Sequence, residues 1–356
     1  MYFDAFFLVS YGSPEGPDEV HPFLDRVLAG KHVPEARRII VVDKYMDCGG
    51  FSPLNGQCRQ FMLQLNQALK GQNVKTYQAN LYSSPFVPDV VKQMKSDGVR
   101  RVLLMISSPF GSVVGCRRYL DVIERNWPAD MELTKIPCFY DHPLYLKASA
   151  NQLLTCAAQA ILDSDDASVQ VGATQKSHPI NDVSHPRTLF LFTAHALPVN
   201  QAQDARYAEQ LDVHCREVLR LSHLLDDRQL APAISRLAYQ SRSGNPRDPW
   251  TEPDIFDLII ELHNTYPSLK TIIVTPCGFC FENMEIAWDL DIELRKLCQR
   301  LDLRYYRTET PGITEETVRM CVEYLSVSRD SFRSCPCSPG ICDFSCSDLL
   351  NGPNIS

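Results

Sequence analysis

The sequence predicts an α/β fold in two halves, each a parallel sheet flanked by helices. Short apolar runs alternate with helical hydrophobic periods, which is the pattern of βαβ units. The chain has 356 residues, a length that suits about two domains. A polar stretch without periodicity, Asp163 to Pro186, lies near the midpoint and reads as a surface loop or linker.

The first strand is Ala5–Ser10. Phe6, Phe7, Leu8 and Val9 have no basic flank before them and run into a turn at Tyr11-Gly12-Ser13-Pro14. This is a buried strand and not a signal peptide. Val74–Ala79, Arg101–Ser107 and Leu133–Pro137 complete the strands of the first half, with helices at Gln57–Leu69, Val87–Ser96, Arg117–Asn126 and Pro143–Leu162. In the second half the strands are Thr188–Thr193, Ala233–Tyr239, Thr271–Thr275 and Leu303–Tyr306. Its helices are Ala205–Leu221, Ile255–Thr265, Phe281–Leu301 and Thr314–Leu325. The division is therefore 1–145 and 146–330, with 163–186 a surface loop, followed by a cysteine-rich tail, 331–356.

Composition narrows the function. With 44% hydrophobic and 22% charged residues the chain is an ordinary globular protein and not a disordered one. A net charge of −8 argues against sequence-independent binding to nucleic acid. No apolar run is long enough for a transmembrane helix. Ten of the 14 cysteines are scattered between Cys48 and Cys321 in apolar segments and read as reduced core thiols. The other four, Cys335, Cys337, Cys342 and Cys346, crowd into the tail. That asymmetry points to a cytoplasmic protein with a metal-binding terminus.

The two halves repeat one feature. Tyr11 and His195 each stand just past a strand and three residues before a proline, Pro14 and Pro198. Ligands of open parallel sheets bind beyond the carboxyl ends of the strands. Two such halves face to face put Tyr11 and His195 on opposite walls of one cleft. A neutral imidazole there accepts a proton or ligates a divalent metal; the alternative is a strand-end histidine bonded to backbone. Glu285, Asp289 and Glu293 recur every four residues and form a carboxylate stripe on a helix. Oxygen donors of this kind suit a divalent cation; the alternative is a solvated helix face.

The tail thiols suit an iron–sulfur cluster or zinc. An unstructured tail and adventitious disulfides are the alternatives. Its fourth ligand is Cys346 or a body cysteine, with Cys116 and Cys138 as candidates. Cys277-Gly278-Phe279-Cys280 reads as packing, since it has no partner pair. In Tyr239-Gln240-Ser241-Arg242-Ser243-Gly244-Asn245-Pro246-Arg247-Asp248-Pro249-Trp250, Arg242 and Arg247 offer cations to carboxylates and Trp250 a flat packing surface; a capped surface turn is the alternative. Neither a G-x-G-x-x-G nor a phosphate-binding P-loop motif is present, so a nucleotide role has no direct support.

Several separated motifs carry a family resemblance. They are Leu8-Val9-Ser10-Tyr11-Gly12-Ser13-Pro14-Glu15-Gly16-Pro17, Gly49-Gly50-Phe51-Ser52-Pro53-Leu54-Asn55-Gly56-Gln57, Phe192-Thr193-Ala194-His195, Tyr239-Gln240-Ser241-Arg242-Ser243-Gly244, Pro249-Trp250, Met284-Glu285 and Asp289-Leu290-Asp291. Together they span nearly the whole chain, and the sequence closely resembles ferrochelatases, the lyases that insert ferrous iron into a porphyrin. The resemblance implies two Rossmann-like, chelatase-type domains with the porphyrin between them. It implies His195 and Glu285 as the catalytic pair on the metal-insertion side, and Asp289 and Glu293 as an acidic ridge on a helix that is often overwound into a π segment. It implies that Tyr11 approaches the opposite porphyrin face, as in members that act on coproporphyrin III, and that Lys44, Ser52 and Tyr119 hold propionates.

Two positions depart from the family pattern. An arginine pair found in some members is Leu28-Ala29 here, and an Asp-His pair is Glu282-Asn283. Some members carry a [2Fe-2S] cluster on three tail cysteines and one from the body, and the tail here resembles that arrangement. The expected function is insertion of Fe2+ into coproporphyrin III to give coproheme in haem biosynthesis, with a downstream haem-pathway enzyme as partner. The alternatives are a protoporphyrin IX ferrochelatase, a chelatase for another metal and tetrapyrrole, and a non-catalytic haem-binding or iron–sulfur protein. In the expected chemistry a neutral His195 takes a pyrrole proton or hands over iron, Glu285 takes protons or orients His195, and Asp289 and Glu293 relay Fe2+ inward or carry protons outward.

Overall fold

Each half buries two central strands on both sides, as near-continuous apolar runs require. In the computed structural model, which describes residues 1–31, 33–163, 185–243, 247–328 and 331–332, β1 (Ala5–Ser10), β2 (Lys75–Asn80), β3 (Arg101–Ile106) and β4 (Glu132–Lys135) form a sheet of order β2-β1-β3-β4. The second sheet has the same order, β6-β5-β7-β8, from β5 (Thr188–His195), β6 (Ala233–Gln240), β7 (Thr271–Thr275) and β8 (Arg304–Arg307). Every pairing is parallel. The eight expected strands are all present, with ends shifted by at most two residues. The tail cysteines and most of the mid-chain polar stretch lie outside the described residues.

The helices of the first half are α1 (Pro17–Leu28), α2 (Glu35–Asp47), α3 (Leu54–Ala68), α4 (Val87–Ser96), α5 (Arg118–Glu124) and α6 (Pro143–Leu162). Those of the second half are α7 (Val199–Asp204), α8 (Tyr207–Ser222), α9 (Ile255–Thr265), α10 (Arg295–Arg300) and α11 (Glu315–Ser326). Neither α1 nor α2 is legible in the sequence. α1 carries an internal proline, Pro22. α2 has no buried residue, and its consecutive Ile39, Ile40, Val41 and Val42 give no helical stripe. It forms by leaning on α1, with Val41, Val42 and Tyr45 against Val20, Phe23 and Leu24.

Two π segments interrupt regular helix, Val113–Arg117 before α5 and Ile286–Leu294 before α10. The single helix expected over Phe281–Leu301 is thus a π segment followed by α10. The halves also share cores. Phe110, Cys116, Cys138 and Tyr140 belong to one cluster with Phe190 and Phe192. Gln210 of α8 takes the Gly111 N–H at 2.8 Å and returns a bond to its carbonyl at 3.2 Å. α11 crosses back to the first half, where Val318, Met320, Cys321 and Leu325 pack in one cluster with Phe6, Leu8 and Phe61.

Candidate active site

His195 is the last residue of β5 and the only one of that strand not fully buried. Beyond it the Ala196 N–H donates to the Gln240 carbonyl at 2.7 Å, and the Thr251 N–H to the Leu197 carbonyl at 2.9 Å. These bonds hold the exit from the sheet rigid. Gly278 allows the loop after β7 to approach: a Cβ there would stand 2.8 Å from Ala194. The His195 Nδ1 faces its neighbour's carbonyl, Ala196 O, at 2.5 Å. The other ring nitrogen, Nε2, is 3.3 Å from Glu285 Oε1.

Glu285 is set by a cap. The Asn283 Oδ1 accepts from the Glu285 N–H at 2.9 Å and the Ile286 N–H at 3.1 Å, starting the helix at that point. The π turn that follows is a rare form that recurs at functional sites. It carries Asp289, which is buried and accepts a bond from the Ser241 hydroxyl. Asp291 points the other way: Arg307 of β8 grips it at 2.7 and 3.1 Å and holds Glu282 at 3.1 Å. The carboxylates Glu285, Asp289 and Glu293 are left as a row, and among the described residues no group of three or more His, Cys, Asp or Glu forms a metal cage.

Electrostatics follow from this packing. Burial pushes the His195 imidazole down, but the Glu285 carboxylate beside it outweighs burial and lifts the pKa to about 9. The pair thus favours the charged ring, whereas the expected chemistry starts from a neutral one. Burial raises Glu285, and the imidazolium with Lys44 brings it below the ordinary carboxylate value. Asp289 is raised to about 6 by burial, against the opposing Ser241 bond and Lys44.

The other wall comes from the first half. Gly12, at φ +81°, turns the chain after β1; a Cβ there would meet Ser83 Oγ at 2.5 Å. The turn projects Tyr11 against Tyr82 and Phe23, with ring centroids 4.7 and 6.3 Å away. Burial raises the phenol above its ordinary range, Arg118 opposes that, and the Glu285 carboxylate adds to it. Tyr45 of α2 is raised by burial and by the same Glu285 and Tyr11. Tyr11 and Tyr45 of the first half and Glu285 of the second thus share one electrostatic neighbourhood.

The remaining expected residues fall at different depths. Ser52 is buried, and its N–H donates to Pro14 O at 3.1 Å, next to the Tyr11 turn. Tyr119 is buried in the core of the first half, beside Ser107 and Tyr11. Lys44 reaches across the cleft, 3.6 Å from Asp289 and 3.7 Å from Glu293. Cys116 and Cys138 face each other 3.8 Å apart in the core. A cavity of about 920 Å³ opens between Arg37 and Ile40 of α2 and Val199, Arg242 and Trp250 of the second half; Tyr11, His195 and Glu285 are not among its lining residues. Sequence reasoning missed Tyr45, Arg118, Ser241 and Asn283 as site residues. Arg118 adjoins Tyr119 and Ser241 lies in a quoted motif, but Tyr45 sits on the illegible α2.

Comparison with known proteins agrees with this geometry. The family model described as Ferrochelatase matches residues 4–327. A ferrochelatase from Rhodopirellula baltica is 35% identical over 324 residues, covering 89% of this chain and 84% of that protein. A coproporphyrin III ferrochelatase from Mycobacteroides abscessus is 33% identical over 336 residues, covering 92% and 88%. One from Mycobacterium marinum is 34% identical over 330 residues, covering 90% and 85%. Matched over nearly all of its described length, with its cleft residues in the order the motifs require, the chain belongs to the ferrochelatase family.

Proposed function

We propose that this protein inserts Fe2+ into coproporphyrin III, giving coproheme for haem biosynthesis. The observation that carries the reading is the His195–Glu285 pair at 3.3 Å, continuous with a carboxylate row and faced by Tyr11. In this reading the macrocycle lies between Tyr11 and His195. Lys44, Ser52 and Tyr119 hold propionates, and Arg118 adds a cation near Tyr11. The protein works in the cytoplasm and passes its product to a haem-pathway enzyme. Among the described residues no helix is long and apolar enough to cross a membrane.

Insertion requires two pyrrole N–H protons to leave as the metal enters. Glu285 favours a charged His195, so in this reading the ring gives up a proton before it accepts one. Fe2+ arriving at Glu285 takes over the carboxylate charge that holds the imidazolium, and the proton departs along Asp289 and Glu293. His195 is then a base aimed at the nearest pyrrole, and the two pyrrole protons leave through it one after the other, each passing on to the same carboxylates. A cleft that bends the porphyrin exposes that N–H.

A [2Fe-2S] cluster on Cys335, Cys337, Cys342 or Cys346 with a body thiol is the second part of the proposal. Cys116 and Cys138 are enclosed in the core, whereas Cys156, half-buried on α6, lies on a helix packed against α11. Cys48 is half-buried too, so either Cys48 or Cys156 can serve as the body thiol without opening the core.

The test is an anaerobic assay of purified protein with Fe2+ and either coproporphyrin III or protoporphyrin IX. The expected result is faster metallation of coproporphyrin III. Faster use of protoporphyrin IX overturns the substrate, and tight haem binding without turnover overturns the enzyme. The absorption spectrum of the same sample reports the cluster through sulfur-to-iron charge-transfer bands, and their absence from anaerobically prepared protein overturns that part.

A further inference from the structure

Lys44 holds two carboxylates of the opposite half. Its Nζ stands 3.6 Å from Asp289 Oδ1 and 3.7 Å from Glu293 Oε2, and lies 5.4 Å from the centre of the Trp288 ring. The helix that carries it has no buried residue. One face of α2 rests on α1 through Val41, Val42 and Tyr45. Arg37, Ile40 and Lys44, spaced three and four apart, share another, and Arg37 and Ile40 line the 920 Å³ cavity with Arg242 and Trp250. Arg37 also donates to the Arg242 carbonyl at 3.4 Å. The far edge of α2 thus meets the second half through a few polar contacts, two of which are the ion pairs of Lys44.

One ammonium cannot serve two sets of anions at once. Lysine carries a compact charge on a flexible stem, which makes it exchangeable between partners. A dication approaching Asp289 and Glu293 meets a ridge already partly neutralised, and must push a like charge aside. A carboxylate entering beneath α2 offers Lys44 another partner. Resting on the reading of the cleft as a porphyrin site, we propose that Lys44 is an exchange cation. It neutralises Asp289 and Glu293 while the cleft is empty and moves to a porphyrin carboxylate when substrate binds, which frees the ridge for divalent metal. Porphyrin and metal then bind with positive coupling, and linkage makes the effect reciprocal. Metal is drawn in when a macrocycle is there to receive it.

The experiment uses the full chain with Mn2+ as the probe metal, followed by the EPR signal of the free ion. The cleft ligand is zinc coproporphyrin III, whose filled centre takes no second metal and whose fluorescence reports binding. Its tetramethyl ester presents the same ring without carboxylates. Mn2+ is expected to bind about tenfold tighter with zinc coproporphyrin than without it, an ordinary size for coupling between two sites, and to be unaffected by the ester. In Lys44→Gln the tight binding is expected with and without porphyrin. A paired Asp289→Asn, Glu293→Gln variant is expected to lose Mn2+ in every case. Equal tightening in Lys44→Gln, or none in the unaltered protein with zinc coproporphyrin bound, overturns the exchange and leaves the porphyrin site standing. Failure of zinc coproporphyrin to bind overturns the porphyrin reading, and the exchange with it.

Discussion

At His195 two environments pull in opposite directions. Burial disfavours its charge, and Glu285 at 3.3 Å favours it more, so the pKa rises to about 9 from an ordinary 6.5. A raised histidine stabilises the fold fully below its unfolded pKa and loses that contribution as pH climbs through the folded value. Thermal stability is therefore expected to decline between pH 6.5 and about 9, and His195→Ala is expected to flatten that decline. The same variant is expected to abolish metal insertion while porphyrin fluorescence still reports binding. Near-normal turnover would remove His195 from the chemistry. The position of this histidine is legible in the sequence because it ends an apolar run at a strand's carboxyl end, where open parallel sheets bind ligands. The partnership of Lys44 with Asp289 and Glu293 is not legible, since nothing local links α2 to a helix so distant in the chain.

At the scale of elements, strands were the easiest to read. Buried parallel strands need continuous apolar runs, and β1, β3, β5 and β7 have them. The four-residue spacing of Glu285, Asp289 and Glu293 suits an α-helix as well as a π-helix, so the overwinding of Ile286–Leu294 was legible only through family resemblance. What starts that segment is Asn283, whose side chain caps two backbone N–H groups. Asn283→Ala is expected to cost about 1 kcal/mol in chemical denaturation, the usual value of such a cap. It is also expected to slow metallation, because Glu285 is the first residue the cap fixes. Asn283→Ser, which keeps an acceptor, is expected to recover most of both. Loss of stability with unchanged kinetics would confine Asn283 to folding.

For the whole molecule, the joint between the halves sets the response to acid. The His214 Nδ1–H of α8 donates to the Tyr140 carbonyl of the first half at 2.6 Å, with Phe110 and Tyr145 packed around the ring. Burial drives its pKa down to about 4, and burial does the same to His142 at the start of α6. Between pH 6.5 and 4 the unfolded chain binds protons at both that the folded chain refuses, so stability falls with pH. Each contributes up to about 1.4 kcal/mol per pH unit. Denaturation curves for His214→Gln, whose amide can still donate to Tyr140, are expected to show a slope shallower by one proton. An unchanged slope would mean that His214 is not held neutral.

The return of α11 to the first half has a consequence for biosynthesis. Val318, Met320, Cys321 and Leu325 cover apolar surface around Phe6, Leu8 and Phe61, at the opposite end of the polypeptide. When the first sheet leaves the ribosome, the side chains that will cover it have not yet been translated. The amino-terminal half must wait with a bare hydrophobic flank while the second half is made, and its maturation is tied to the emergence of α11 rather than to its own completion.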